Sequence, residues 1–69
     1  MDNIHVVEKD GWKFGVIKIL NFTLMDAWEI RAVNQYYNEY AGGPYLSENE
    51  AIRDIQAAME RFLETNDRP

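Results

Sequence analysis

Ser47 is the only serine of the chain and His5 its only histidine. A hydroxyl nucleophile needs a base within hydrogen-bond reach, and these two residues sit near opposite ends of the sequence. Ser47 also has a simpler use. With Glu50 three residues on, it reads as a helix capping box, the hydroxyl accepting the N3 amide while the Glu50 carboxylate reaches back. His5 falls in a β-branched stretch and reads as an ordinary strand residue. Carboxylates are plentiful, but Glu50 with Asp54 and Glu60 with Glu64 are spaced i,i+4 on a polar helix face. That spacing predicts solvated groups without the burial that raises a carboxyl pKa. Gly42-Gly43 follows a periodic segment instead of opening one, so it makes no phosphate cradle. With no cysteine and one histidine, a tetrahedral zinc site has too few ligands. No catalytic, cofactor or metal site is expected, and the chain reads as a non-enzyme.

Two other groups of residues suit binding. Tyr36, Tyr37, Tyr40 and Tyr45 fall close together, interleaved with Asn34, Gln35, Asn38 and Glu39. Tyrosine offers large contact area with few rotors and a polar tip, so it recurs at interfaces. The same rings could instead be core, with Tyr36 and Tyr40 buried and Tyr37 half-buried, and the sequence leaves both roles open. The second group is Glu50, Asp54, Glu60 and Glu64. Like charges at i,i+4 mildly destabilise a helix, so they are not there for local stability. They serve either as a solvated face or as an acidic docking surface. Both groups together are the expected partner-binding residues.

Charge narrows the choice of partner. Twelve acids oppose seven bases for a net charge of −5, and the sequence pI is about 4.6. Attraction to nucleic-acid phosphates needs clustered Lys and Arg, whereas Lys9, Lys13 and Lys18 stand alone in the first part of the chain. Direct nucleic-acid or anionic-membrane binding is disfavoured, and a protein with a basic surface is the expected partner. No apolar run approaches the roughly 20 residues of a membrane span. Met1-Asp2-Asn3-Ile4 lacks the basic-then-apolar start of a signal peptide. The expected location is the cytoplasm.

The elements that must hold these residues follow from pattern. Sixty-nine residues, 46% of them hydrophobic, predict one small globular domain over residues 1–69. Residues 4–20 read as a β-hairpin turning at Asp10-Gly11, the type I′ signal, with Lys9 opposite Trp12, Glu8 opposite Lys13 and Val7 opposite Phe14. Gly15 marks a weak spot or bulge. Residues 47–64 read as a helix with Leu46 and Ala51 at the staple positions. Its apolar stripe is Ile52, Ile55, Met59, Phe62 and Leu63, and its polar face carries Glu50, Arg53, Asp54, Glu60, Arg61 and Glu64. The tail from Thr65 should fray.

Residues 23–41 fit a second helix, capped at Thr23 with Asp26 and ended by Gly42-Gly43-Pro44. Met25, Ala32, Val33, Tyr36, Tyr37 and Tyr40 would share one face. The rival is a third strand over Trp28-Glu29-Ile30-Arg31-Ala32-Val33. The expected fold is therefore α+β: an N-terminal antiparallel hairpin followed by two helices. The alternative is a three-stranded antiparallel sheet with one C-terminal helix.

In size, acidity and want of catalytic groups the chain resembles the small phage-encoded inhibitors of bacterial machinery, anti-CRISPR proteins among them. That resemblance implies a protein-binding inhibitor or modulator of a bacterial defence or nucleic-acid-handling complex, and assigns no residue roles. The alternative function is a homodimeric structural or regulatory module without catalytic activity, joined through the apolar arc of residues 25–41.

Overall fold

The computed structural model describes residues 6–20 and 25–65. His5, Ile4, Thr23 and the tail beyond Thr65 lie outside the described residues. The described chain forms a four-stranded antiparallel sheet and one helix, in the order β1 (Val6–Lys9), β2 (Trp12–Leu20), β3 (Asp26–Val33), β4 (Asn38–Tyr45) and α1 (Glu48–Thr65). The strands lie in sequence order across the sheet, each paired with the next.

The first hairpin follows its turn. Asp10 and Gly11 both take positive φ, 54° and 84°, as a two-residue type I′ turn demands. Lys9 then faces Trp12, Glu8 faces Lys13 and Val7 faces Phe14, as the sequence predicts. Gly15 is no bulge. It pairs regularly with Val6 on one side and Arg31 on the other.

The second expected helix does not form. Residues 26–33 and 38–45 are strands joined by a four-residue turn, so the alternative sheet-plus-helix architecture is the nearer one, with a fourth strand that neither expectation contained. The physical reason lies in what becomes buried. Ile30 and Ala32 are fully buried on one side of β3, while Glu29 and Arg31 alternate with them and pair on the other side at 2.9 Å. That is a two-residue period, the mark of a half-buried strand. Met25, Val33, Tyr36, Tyr37 and Tyr40, five members of the supposed helical face, are all exposed. Asp26, read as a helix-capping partner, is instead in β3 opposite Leu20 and 3.4 Å from Lys18.

Gly42-Gly43-Pro44 also changes meaning, from a helix terminator to an irregularity in an edge strand. The β3–β4 register shifts between Trp28 and Arg31, and Gly43 takes φ +116°. A Cβ there would meet the Trp28 carbonyl oxygen at 3.0 Å and the Glu29 Cα at 3.1 Å. Pro44 is tolerated because β4 is an edge strand.

α1 closes one face of the sheet. Ser47 Oγ accepts the Glu50 amide at 3.2 Å, the hydroxyl half of the expected capping box. Leu46 is 72% exposed, so the hydrophobic staple expected of it with Ala51 is not closed. Ala51, Ile55, Ala58, Met59 and Phe62 are buried against Phe14, Ile30 and Ala32, with Val7, Trp12, Val16, Trp28, Ala41, Tyr45 and Leu63 packed around them. Ile52, at the margin of the expected stripe, is half-buried. Burying a side chain the size of Phe14 or Ile30 contributes roughly 1.5–3 kcal/mol, so a handful of such residues carries most of this small fold. No polar or charged side chain is buried among the described residues.

Candidate functional site: an aromatic tip

The core does not end at the sheet boundary. Phe14 meets Phe62 edge-on at 5.5 Å, Phe62 meets Trp12 edge-on at 4.9 Å, and Trp12 stacks on Tyr37 at 6.3 Å. Tyr37 in turn meets Tyr36 at 6.4 Å. Five rings run from the buried centre to the surface, in offset or edge-to-face geometries that add to their burial. The outer two are well exposed, Tyr37 at 57% and Tyr36 at 77%.

Their backbone is held in place. Asn34 Oδ1 accepts both the Tyr36 amide at 2.8 Å and the Tyr37 amide at 2.7 Å, an Asx arrangement that mimics a backbone turn. The Asn34 amide donates to the Tyr37 carbonyl at 2.8 Å. The two hairpin turns lie side by side here, leaving an open groove of about 680 Å³ whose walls include Asp10, Trp12, Lys13, Val33 and Asn34.

The eight expected binding residues do not form one patch. Tyr36 and Tyr37 stand together at the tip. Tyr40 lies on the β4 edge opposite Arg31, and its hydroxyl donates to the Gly43 carbonyl. Tyr45 turns inward, donating to Asp54 Oδ2 at 2.6 Å, while Arg61 donates to the same oxygen at 3.3 Å. Burial, then the bond to Asp54, pushes the Tyr45 hydroxyl up to about 12. The bond from Tyr45 holds the Asp54 carboxyl below its usual range. These two residues clamp β4 to α1, and Gly42 leaves room for the clamp: a Cβ there would meet Tyr45 Oη at 2.9 Å and the Ala58 Cβ at 3.3 Å.

Glu50, Glu60 and Glu64 are exposed on α1. Glu50 is in the first turn of the helix, next to its cap. Glu60 and Glu64 lie two residues either side of Phe62 in the last turns, on the solvent face of the helix opposite that buried ring. Among the described residues no three His, Cys, Asp or Glu side chains come together as a metal site would need. No helix among them is long and apolar enough to cross a membrane.

Trp12 is the site residue that the tyrosine pattern does not reveal. Its signal is positional: a tryptophan directly after a two-residue turn sits at a sheet end, where a covering helix runs out. No protein-family model, curated protein or solved structure matches this chain.

Proposed function

We propose that the chain is a small protein-binding inhibitor or modulator, without catalytic activity of its own, acting in the cytoplasm. It docks through the Tyr36–Tyr37 tip. The observation that carries this reading is the tip's construction: two exposed rings on a turn fixed by Asn34 and backed by Trp12 and Phe62. Binding energy concentrates in a few aromatic anchors. An anchor already held in one conformation loses little entropy when it docks.

The partner of this reading is a protein with an aromatic-accepting pocket and a basic rim, because the chain carries a net charge of −5 and exposes Glu60 and Glu64 in the last turns of α1. The acidic helix then acts mainly on the rate of encounter. Its size and acidity are those of phage-type inhibitors of bacterial defence complexes, which supports an inhibitory role.

The test separates anchor from charge. A partner captured by the wild-type chain is measured against Tyr36→Ala/Tyr37→Ala and against Glu50→Gln/Glu60→Gln/Glu64→Gln. Asp54 is left alone because Tyr45 and Arg61 engage it. The tyrosine variant should dissociate at least about tenfold faster, and the glutamine variant should associate more slowly with its dissociation unchanged. Unaltered dissociation of the tyrosine variant would remove the tip from the interface and with it this reading.

A further inference from the structure

Asp10-Gly11 gives the first hairpin its turn and also sets a carboxyl beside an unshielded amide. Of the aspartates Asp2, Asp10, Asp26, Asp54 and Asp67, only Asp10 precedes a glycine, and no asparagine does. A glycine has no side chain to crowd its nitrogen, so that nitrogen can reach the carboxyl of the residue before it. The structure leaves both reactants in the open. Asp10 and Gly11 are exposed, and even a Cβ on Gly11 would meet nothing within 4 Å. The ladder pairs Lys9 with Trp12 and passes over the two turn residues, so the Gly11 amide closes no strand hydrogen bond. Among the described residues the Asp10 carboxylate has no ion-pair or hydrogen-bond partner.

We propose that this link is the chain's site of spontaneous isoaspartate formation, with water as the only co-reactant. The Gly11 nitrogen attacks Cγ of the protonated Asp10 carboxyl, and a C–N bond forms. The Cγ–OH bond breaks, and the hydroxyl leaves with the amide proton as water. The product is a succinimide ring. Water then opens that ring at one of its two carbonyls. Addition at Cγ restores aspartate, whereas addition at the main-chain carbonyl carbon leaves the chain running through Cβ and Cγ. That second product is isoaspartate.

The fold decides where this happens and what it disturbs. A type I′ turn holds ψ of its first central residue near about +30°. Ring closure instead brings the Asp10 Cβ over the Gly11 nitrogen, so the turn opens before it reacts. β1 is an edge strand of four residues, and only Val7 among them is less than exposed. A strand so short and so lightly covered opens ahead of the rest of the fold. Asp26 and Asp54 lack these conditions. Asp26 lies in β3 before buried Ala27, and Asp54 lies within α1 before β-branched Ile55. Isoaspartate adds one main-chain carbon between Lys9 and Trp12, and a two-residue turn no longer spans that pair. Trp12 is the ring that backs Tyr37, so the change reaches the aromatic tip while β3, β4 and α1 keep their pairing.

Peptide mapping of the folded whole chain tests the proposal. The protein is held for weeks at mildly acidic pH, well below its melting temperature, and digested at intervals for chromatography and mass spectrometry. Isoaspartate keeps the mass of aspartate but shifts the retention, and electron-transfer fragmentation gives its position. It should accumulate at Asp10 at least about tenfold faster than at any other aspartate, because only Gly11 leaves the attacking nitrogen bare. A succinimide lighter by one water should precede it. The isolated isoaspartyl form should exchange the amides of residues 6–12 at least about tenfold faster than the unconverted chain, with those of β3, β4 and α1 unchanged. Conversion no faster at Asp10 than at another aspartate overturns the proposal. So does an Asp10 that converts in urea yet stays intact in the folded chain, since the turn then protects its own link. An isoaspartyl form whose exchange over residues 6–12 matches the unconverted chain overturns the effect on the hairpin.

Discussion

The two hairpins of this sheet are built on opposite terms. β1–β2 closes through Asp10-Gly11 and pairs four residues on each side without a break. Everything that sets its register lies within the turn itself. β3–β4 closes through four residues held by Asn34, shifts register twice, and fits only because Gly43 slips under the Trp28 carbonyl. Its shape answers to the helix above it, through Ile30, Ala32 and the Tyr45–Asp54 clamp. One hairpin is specified locally and the other by the finished fold. The proposed docking tip sits on the turn of the second.

The largest expected effect ignores the distinction. Ile55 is 5% exposed at the centre of α1, and Ile55→Ala should cost roughly 2–5 kcal/mol as a buried large-to-small change. α1 packs on β2, β3 and β4 alike, so both hairpins should lose amide-exchange protection together. A chemical-denaturation midpoint unmoved by this substitution would take Ile55 out of the core.

The next pair of variants sharpens the comparison. Gly11→Ala places a side chain at φ +84° in open space, so only the left-handed conformation is penalised, by about 1 kcal/mol. Gly43→Ala meets the same kind of penalty at φ +116° and adds contacts at 3.0 and 3.1 Å with backbone atoms that cannot swing aside. It should cost about 2 kcal/mol or more. Equal losses in urea melts would show that β3–β4 is no more dependent on its surroundings than β1–β2.

The legibility of the sequence divides along the same line. Asp10-Gly11 names its own turn, and Ser47 with Glu50 names its own helix start, so register and cap are both legible from residues adjacent in the chain. In residues 23–41 the cues conflict. Thr23, Asp26 and Gly42-Gly43-Pro44 are boundary signals suited to a helix, and the tyrosines fall at helical spacing. The alternation Trp28-Glu29-Ile30-Arg31-Ala32 is the truer cue because burial decides between periods, and burial belongs to the whole fold. The site is half legible. Tyr36 and Tyr37 belong to the tip, whereas Tyr45 and Asp54 are committed to each other by a helix–strand approach that no local spacing encodes. Trp12 escapes a reading by spacing because its exposure depends on where α1 stops.

The smallest effect concerns the clamp. The Tyr45 hydroxyl is raised from 10.0 to about 12, so its contribution is complete below pH 10 and is lost as pH climbs from 10 to 12, where only the unfolded chain has shed the proton. Asp54 is lowered from 3.8, so its contribution is present above about pH 4 and is lost as pH falls through its folded value. Tyr45→Phe removes one hydrogen bond, about 1 kcal/mol. Its deficit against wild type should be greatest between about pH 5 and 9 and narrow at both extremes. A deficit independent of pH in denaturation series would mean that the hydroxyl and the carboxylate do not share a proton-linked bond, and the second hairpin would lose its most specific tie to the helix.

The ring ladder also gives the molecule an optical address. Tyr36 and Tyr37 absorb in the near ultraviolet, and Trp12 lies 6.3 Å from Tyr37, close enough to collect that excitation and emit it. Trp28, the other indole, is packed against the core near the opposite end of the sheet, opposite Tyr45. Anything that settles over Tyr36 and Tyr37 should change the colour and yield of the Trp12 emission.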